Sequence, residues 1–386
     1  MMVEDRLSIM PDELIHKILF CYDMKFAVQT CLLSSRWKLV WTLMPCLDFS
    51  SRQFCTLHKF AEFVTHVLSR RNHQIEVSFV KLDFYGAADQ DFVREIANYA
   101  LSHNVQQLTV SSSFSNSRQV YPSCLFRSQS LKHFTLTCNY MRLFTTKTEA
   151  PLDFPSLTTL NLSYIILSGD VFSKCVNLKN LTLEWFTIKD VEVFDIITPR
   201  LSNLMLIHGR RSIAINVNAP QLQNLTISNC YFSSLNVPPG LSSLCYTFQM
   251  SPCSFVQFSN DQFHSLNKVT ICLSDCYPTM PWNEEGARKI INTLQQLHSA
   301  RYVTLNADIV EYIALFPYLF SQYPSPFSNL ICLTMDCRKK KDAVIVTKSS
   351  EARNFFLENS PSATFTMLLP KVLTLIRIIY SSLPCR

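Results

Sequence analysis

The side chains best able to do chemistry here are cysteine and histidine, fifteen and nine of them in 386 residues. Suitably spaced thiolates and imidazoles hold zinc, and a thiol beside an imidazole makes a nucleophile. Neither spacing is present. No Cys-x-x-Cys occurs, and the closest pairs, Cys272/Cys276 and Cys332/Cys337, have no histidine at zinc distance in sequence. His-x-x-x-His and His-Glu-x-x-His are also missing. His208 and His264 fall between the repeats described below and read as surface residues. No paired carboxylates stand out for general acid–base work. Scattered thiols without a framework fit free, buried cysteines in a reducing compartment. A Cys–His pair assembled only in space would leave no spacing to read, so a hydrolase hidden in the repeats is the last of three function classes.

Glycine narrows the choice further. The chain has five, where an ordinary domain has about 7%. Phosphate-cradling loops, nucleophile elbows and dinucleotide turns need glycine for close backbone approach. None of Gly86, Gly169, Gly209, Gly240 and Gly286 has a second glycine nearby. No nucleotide, metal or other cofactor is expected.

The elements that would position any site follow from the bulk numbers. Apolar residues make up 48% and charged residues 17%, enough for a large core and against disorder. The length allows two or three domains at about 100–200 residues each. Net charge is +6, from 35 basic and 29 acidic residues. The one basic run, Arg338 to Lys341, reads as a solvated loop, so no nucleic-acid partner is expected. The opening "MMVEDRLSIMPDEL" is acidic and polar, unlike a signal peptide. No apolar run reaches the ~18 residues a membrane span needs. The sequons at Asn161, Asn180 and Asn224 read as accidents of a repeat rich in Asn, Leu and Thr. The expected location is cytoplasmic, nuclear or both.

The first fifty residues predict three short helices. Pro11 suits a helix start, and Asp12 and Glu13 follow at the positive end of the dipole. Leu14, Ile15, Ile18 and Leu19 form one apolar stripe. Asp23 can cap a second helix carrying Phe26, Val28, Leu32 and Leu33. In "RWKLVW" Trp37 and Trp41 share a face at i, i+4, and Pro45 ends the helical stretch. Helices this short are marginal alone. The segment therefore reads as a docking unit whose apolar stripe meets another protein.

These residues resemble the F-box of the large plant F-box/leucine-rich-repeat group. The match rests on Asp5-Arg6-Leu7-Ser8, Pro11-Asp12-Glu13-Leu14, Leu33-Ser34, Arg36-Trp37, Trp41, Pro45, Leu47 and Phe49. It departs at Met10, where Leu is usual, at Asp23-Met24, where Pro-Thr is usual, and at Phe26, where an acid is common. The resemblance implies binding to a Skp-type adaptor and, through it, to a cullin scaffold. By position, the adaptor-binding residues would be Pro11, Leu14, Ile15, Ile18, Leu19, Leu32, Leu33 and Trp37. Each of the aliphatic ones could equally belong to the internal core of the three helices.

Beyond residue 50 a helix through Phe60, Phe63, Val64, Val67 and Leu68 is followed by a strand through Val77, Phe79, Leu82 and Phe84. A helix in "DQDFVREIANYAL" and a strand in "VQQLTV" come next. Strand alternating with helix predicts a parallel sheet. One phrase then recurs, apolar-x-x-apolar-x-apolar, starting at Leu131, Leu157, Leu178, Leu201, Leu222, Leu241, Leu266 and Leu330, with a weaker copy at Ala300. Starts from Leu157 to Leu241 are 21, 23, 21 and 19 residues apart. That period and phrase are the leucine-rich-repeat signature, less the Asn that often follows. Each copy supplies one short strand whose alternate side chains stack inward.

The outward positions are small, neutral and hydrogen-bonding. Asn180, Thr182, Asn203, Met205, Asn224 and Thr226 are the candidate target face, a neutral one that disfavours phosphate-dominated ligands. Threonine also favours strands for its own reasons, so both readings stand. Near the end, "SSEARNFFLENSPSATFTMLLPKV" reads as a helix and a strand and resembles the closing segment of the same group. The apolar tail after it is either a cap on the last repeat or an ill-packed terminus.

The fold class expected is therefore α/β: a three-helix F-box over residues 1–50, then an irregular leucine-rich-repeat solenoid over 51–370. Its parallel strands would have helical or loop connections, and an atypical tail would occupy 371–386. The function expected is that of a non-catalytic receptor, the substrate-recognition subunit of a Skp–cullin–F-box ubiquitin ligase. The alternative is an interaction protein that binds the adaptor without promoting ubiquitin transfer.

Overall fold

The computed structural model describes residues 9–33, 37–86, 90–113, 121–139, 151–210, 213–249, 256–258, 263–274, 283–338 and 350–369. The chain divides into two compact units, Met1–Val191 and Glu192–Arg386.

The first unit opens with α1 (Asp12–Leu19), α2 (Met24–Gln29), a 3-10 turn (Thr30–Leu32), α3 (Trp37–Val40) and a second 3-10 turn (Trp41–Leu43). Pro11 is the N-cap of α1, with Asp12 and Glu13 in its first turn and His16 and Lys17 in its last, the charge order the dipole favours. The Asp23 carboxylate caps α2 as expected, accepting from the Phe26 N–H at 3.1 Å. Then come β1 (Cys46–Ser50), α4 (Leu57–Arg70), β2 (Phe79–Tyr85), α5 (Gln90–Ser102) and β3 (Gln107–Ser113). α4 buries Phe60, Val64, Val67 and Leu68, and α5 buries Phe92, Val93, Ile96, Ala97 and Ala100. Both helices are the parallel crossovers that the alternating pattern predicts. β4 (His133–Asn139), β5 (Thr159–Ser163), β6 (Ile166–Leu167), β7 (Asn180–Glu184) and β8 (Thr187–Ile188) complete the unit.

β1, β2, β3, β4, β5 and β7 pair in that order, all parallel, with Cys46, Phe79, Gln107, His133, Thr159 and Asn180 in line. β6 and β8 pair with each other.

Of the first fifty residues, 9–33 and 37–50 are described. Their last five are β1, which pairs with β2 and buries Leu47 and Phe49. The His16 ring lies 3.3 Å from the Val40 carbonyl, and the Asn72 N–H donates to the Thr42 carbonyl. The helices are thus tied to the sheet through its first strand. Phe49, read as the close of the docking segment, is core of the repeats.

In the second unit the main sheet is β10 (Asn203–Ile207), β12 (Asn224–Ser228), β14 (Ser243–Phe248), β16 (Lys268–Leu273), β17 (Tyr302–Asn306), β18 (Cys332–Asp336) and β19 (Thr364–Leu368). These too are parallel and in register, Asn203 through Asn224, Ser243, Lys268, Tyr302 and Cys332 to Thr364. Each recurring phrase of the two units has become a strand. Its first leucine lies buried just before the strand, as Leu157, Leu178, Leu201, Leu222 and Leu241 do. Its inward pair is buried within the strand, as with Leu204/Leu206 and Leu225/Ile227. Burying one such side chain stabilises the fold by about 1.5–3 kcal/mol, and neighbours supply the cover that no single copy has.

Connections in this unit are partly strands, where helices or loops were expected. β9 (Val193–Ile197), β11 (Ala214–Asn218), β13 (Ser234–Asn236) and β15 (Gln257–Phe258) form a second parallel sheet. Phe194, Ile196, Ile215, Val217, Leu235 and Phe258 are its buried residues. Their spacing of two is a strand period, too brief in each copy to be read alone. Helices return with α6 (Glu284–Gln296), α7 (Ala307–Ala314), α8 (Leu319–Gln322) and α9 (Ser350–Leu357). The tail 371–386 and Lys339 to Lys341 lie outside the described residues. Arg338, next to them, donates to the Asp336 carboxylate from Nε at 2.9 Å and Nη2 at 2.6 Å.

Two details show how the repeat closes each strand. Tyr164, Trp185, His208 and Asn229 follow β5, β7, β10 and β12 in the left-handed region, with φ of 58°, 51°, 53° and 50°. The Tyr164 and His208 N–H groups each donate at 2.8 Å to the last carbonyl of the next strand, and the Asn229 N–H donates at 2.8 Å to the Thr247 carbonyl, the penultimate one of β14. One residue on, Cys230 stands where the repeat often places Asn. Its buried Sγ accepts from the Gly209 N–H at 3.2 Å and faces the Leu206 carbonyl at 3.3 Å. A thiol thus does the backbone bridging that an asparagine amide does elsewhere, and burial pushes it up to about 12.

Candidate docking site and strand faces

The eight residues read as adaptor-binding separate into two groups. Ile15, Leu19 and Trp37 are buried inside the chain, at 0%, 1% and 3% exposure. Pro11, Leu14, Ile18, Leu32 and Leu33 are exposed, Leu32 by 85%. The reason lies in α1 itself. Its apolar positions are adjacent pairs, Leu14-Ile15 and Ile18-Leu19, which a 100° step places on neighbouring flanks of the helix. One flank packs inward with Met24, Ala27, Trp37 and Trp41, and the other faces out. The pattern gives the stripe but not which flank is covered.

Exposure on the first helices extends past the residues named from sequence. Phe20, Tyr22, Phe26 and Leu39 are also exposed, at 61%, 53%, 45% and 65%. So many large apolar side chains left in water on one short segment are unusual.

The strand faces are different. In the first unit Lys81 Nζ meets the Asp48 carboxylate at 2.8 Å and Arg52 meets Asp83 at 3.4 Å, so the charges of the first two strands are paired, and Glu184 closes β7. Beyond them Asn161 Nδ2 donates to Thr135 Oγ1 and Asn180 Nδ2 to Thr159 Oγ1, both at 3.2 Å. In the second unit Asn224 Nδ2 donates to Asn203 Oδ1 at 2.7 Å. Asn180 in the first unit, and Asn203 and Asn224 in the second, therefore each join a cross-strand pair within their own unit, with Thr182 and Thr226 half-buried and Met205 exposed. Such a face offers hydrogen bonds and neutral shape. Hydrogen bonds from Thr364, Thr334 and Thr366 lower the Cys332 thiol from its ordinary value, while burial raises Cys245. Among the described residues, no group of three His, Cys, Asp or Glu side chains is placed to hold a metal ion. No described helix is long and apolar enough to cross a membrane.

Helices tied to the edge of a parallel sheet of short leucine-rich strands define the class: a leucine-rich-repeat protein with a helical segment at its front. The comparisons place it more closely. Residues 93–274 match the family model described as "FBD-associated F-box protein At5g56370, LRR repeats". An F-box/FBD/LRR-repeat protein of Arabidopsis thaliana, At4g03220, is 26% identical over 363 residues, 88% of this chain and 70% of that protein. A second from the same plant, At3g51530, is 30% identical over 213 residues, 53% of this chain and 45% of that protein. The FBD-associated F-box protein At5g50270, also from Arabidopsis, is 28% identical over 317 residues, 70% of this chain and 76% of that protein. These relatives are plant F-box/leucine-rich-repeat proteins, and the chain resembles them.

Proposed function

We propose that the chain is the substrate-recognition subunit of a Skp–cullin–F-box ubiquitin ligase, working in the cytoplasm, the nucleus or both. The observation that carries this reading is the outer flank of the first helices. Leu14, Ile18, Leu32 and Leu33 stand in water on a segment whose other flank is fully used. The chain contributes no bond-making step. Its first helices bind a Skp-type adaptor, which hangs from a cullin, while the hydrogen-bonding strand faces hold a target protein. Holding target and ubiquitin-charged conjugating enzyme on one assembly raises their effective concentration.

Deleting residues 1–50 is a poor test, because it would strip β1 from the sheet and uncover β2. Aspartate at the exposed positions is better. The full-length Leu14→Asp, Leu32→Asp double variant should fold, lose adaptor co-purification and fail to support ubiquitin transfer in a reconstituted assay. Adaptor binding at the parental level would overturn the reading. Binding lost by the variant, with no ubiquitin transfer by the parent, would leave a non-proteolytic interaction protein.

A further inference from the structure

α4 ends on a buried charge. Arg71, the residue that follows the helix, is 3% exposed. Its Nη2 donates to the Ile75 carbonyl at 3.5 Å, the outer limit of a hydrogen bond. Among the described residues, Arg71 Nε and Nη1 are buried with no acceptor, and the buried hydroxyl of Tyr99 on α5 has no partner either. The ionisable groups close enough to act on the guanidinium are the Tyr99 phenol and the Cys46 thiol, with no carboxylate among them.

Such an arrangement is costly. A guanidinium keeps its proton, so it does not escape the cost by turning neutral as a buried lysine can. The dipole of α4 presents only about half an elementary charge at this end. Buried charges are as a rule paired with an opposite charge. Water would satisfy the open N–H groups but brings no charge. Histidines flank Tyr99: the His103 ring stacks on it at 3.9 Å between ring centres, and His103 Nε2 lies 3.5 Å from His73 Nδ1. His73 is exposed, while Tyr99 and His103 are half-buried. The guanidinium thus lies about one layer of side chains below solvent, a depth that suits a small ion and not a folded partner.

We propose that Arg71 and Tyr99 form a binding site for a small free oxyanion. Guanidinium N–H groups match the oxygens of such ions, and the Tyr99 hydroxyl supplies a further donor. The site does not depend on the adaptor reading. It lies at the join of the first helices and the sheet, where the Asn72 N–H donates to the Thr42 carbonyl and Cys46 opens β1. A bound ion would brace that join.

The test titrates the full-length chain with inorganic phosphate, sulfate and acetate at fixed ionic strength, read by calorimetry and by thermal midpoint. At least one of the three should bind at a single site and raise the midpoint to a plateau, and their ranking tells a tetrahedral ion from a carboxylate. Arg71→Met should weaken that binding by about tenfold or more, and Tyr99→Phe, which removes one hydroxyl and keeps the ring, by about threefold or more. In buffer free of oxyanions Arg71→Met should melt above the parent, since it buries no charge. Should that variant fail to fold, the Tyr99→Phe titration still decides. Binding of none of the three ions overturns the proposal. Binding that is unchanged in Tyr99→Phe and in folded Arg71→Met is an adventitious ion only, and overturns it as well.

Discussion

The first helices and the strand faces are both surfaces, and they treat their side chains in opposite ways. On the helices large apolar groups stand in water with nothing over them, as Leu32 and Leu39 do. On the strands polar groups satisfy one another, as Asn224 does with Asn203. An uncovered apolar flank is incomplete without a partner, whereas a self-satisfied amide ladder is stable without one and can exchange its bonds for those of a ligand. The first surface suits one constant partner. The second suits targets that are held by shape and hydrogen bonds and released again.

The contrast can be broken most forcefully inside α1. Ile15→Ala removes a fully buried side chain and should cost about 2–5 kcal/mol, read as a lowered denaturant midpoint. Leu32→Ala should leave that midpoint within about 0.5 kcal/mol. Equal losses would mean that the helix has no outer flank. A smaller effect is expected at Cys230, where alanine leaves the Gly209 N–H unpaired. That should cost about 1–3 kcal/mol, and Cys230→Ser should recover part of it. On the strand face Asn224→Ala removes one amide bond and should cost no more than about 1 kcal/mol in the same unfolding measurement. A loss as large as that of Ile15→Ala would show that the ladder is scaffold and not an exchangeable surface. The gentlest comparison is chemical. Near neutral pH the folded protein should be alkylated at Cys332, whose lowered value raises its thiolate fraction, before Cys245. Cys230 and Cys175, both pushed up to about 12 by burial, should react only on unfolding. Mass spectrometry after partial labelling would give the order.

Much of this architecture can be read from spacing. The phrase that starts at Leu157 and recurs to Leu241 names its own strands, because an inward pair two residues apart has one way to be covered in a stack. Asp23 as a cap is equally local, since the carboxylate and the N–H it meets are three residues apart. What spacing does not hold is the choice between alternatives of equal pattern. Leu14 and Ile15 are both apolar, and only the packing of Trp37 and Met24 decides which of them is covered. β9 and β11 carry a strand period over five residues each, and neighbouring copies are needed to turn it into a sheet.

β1 has a mechanical consequence. It follows directly on the first helices, yet it is hydrogen-bonded along its length into the sheet, so no slack tether separates those helices from the strands of the first unit. Under the proposed function, a receptor jointed in this way would act as a bracket, not a leash: with the helices clamped, the strands beside them would be aimed. Which lysines on a bound target come within reach of ubiquitin would then be decided by fixed geometry, through the place where the target sits, and hardly at all by how long it lingers and swings.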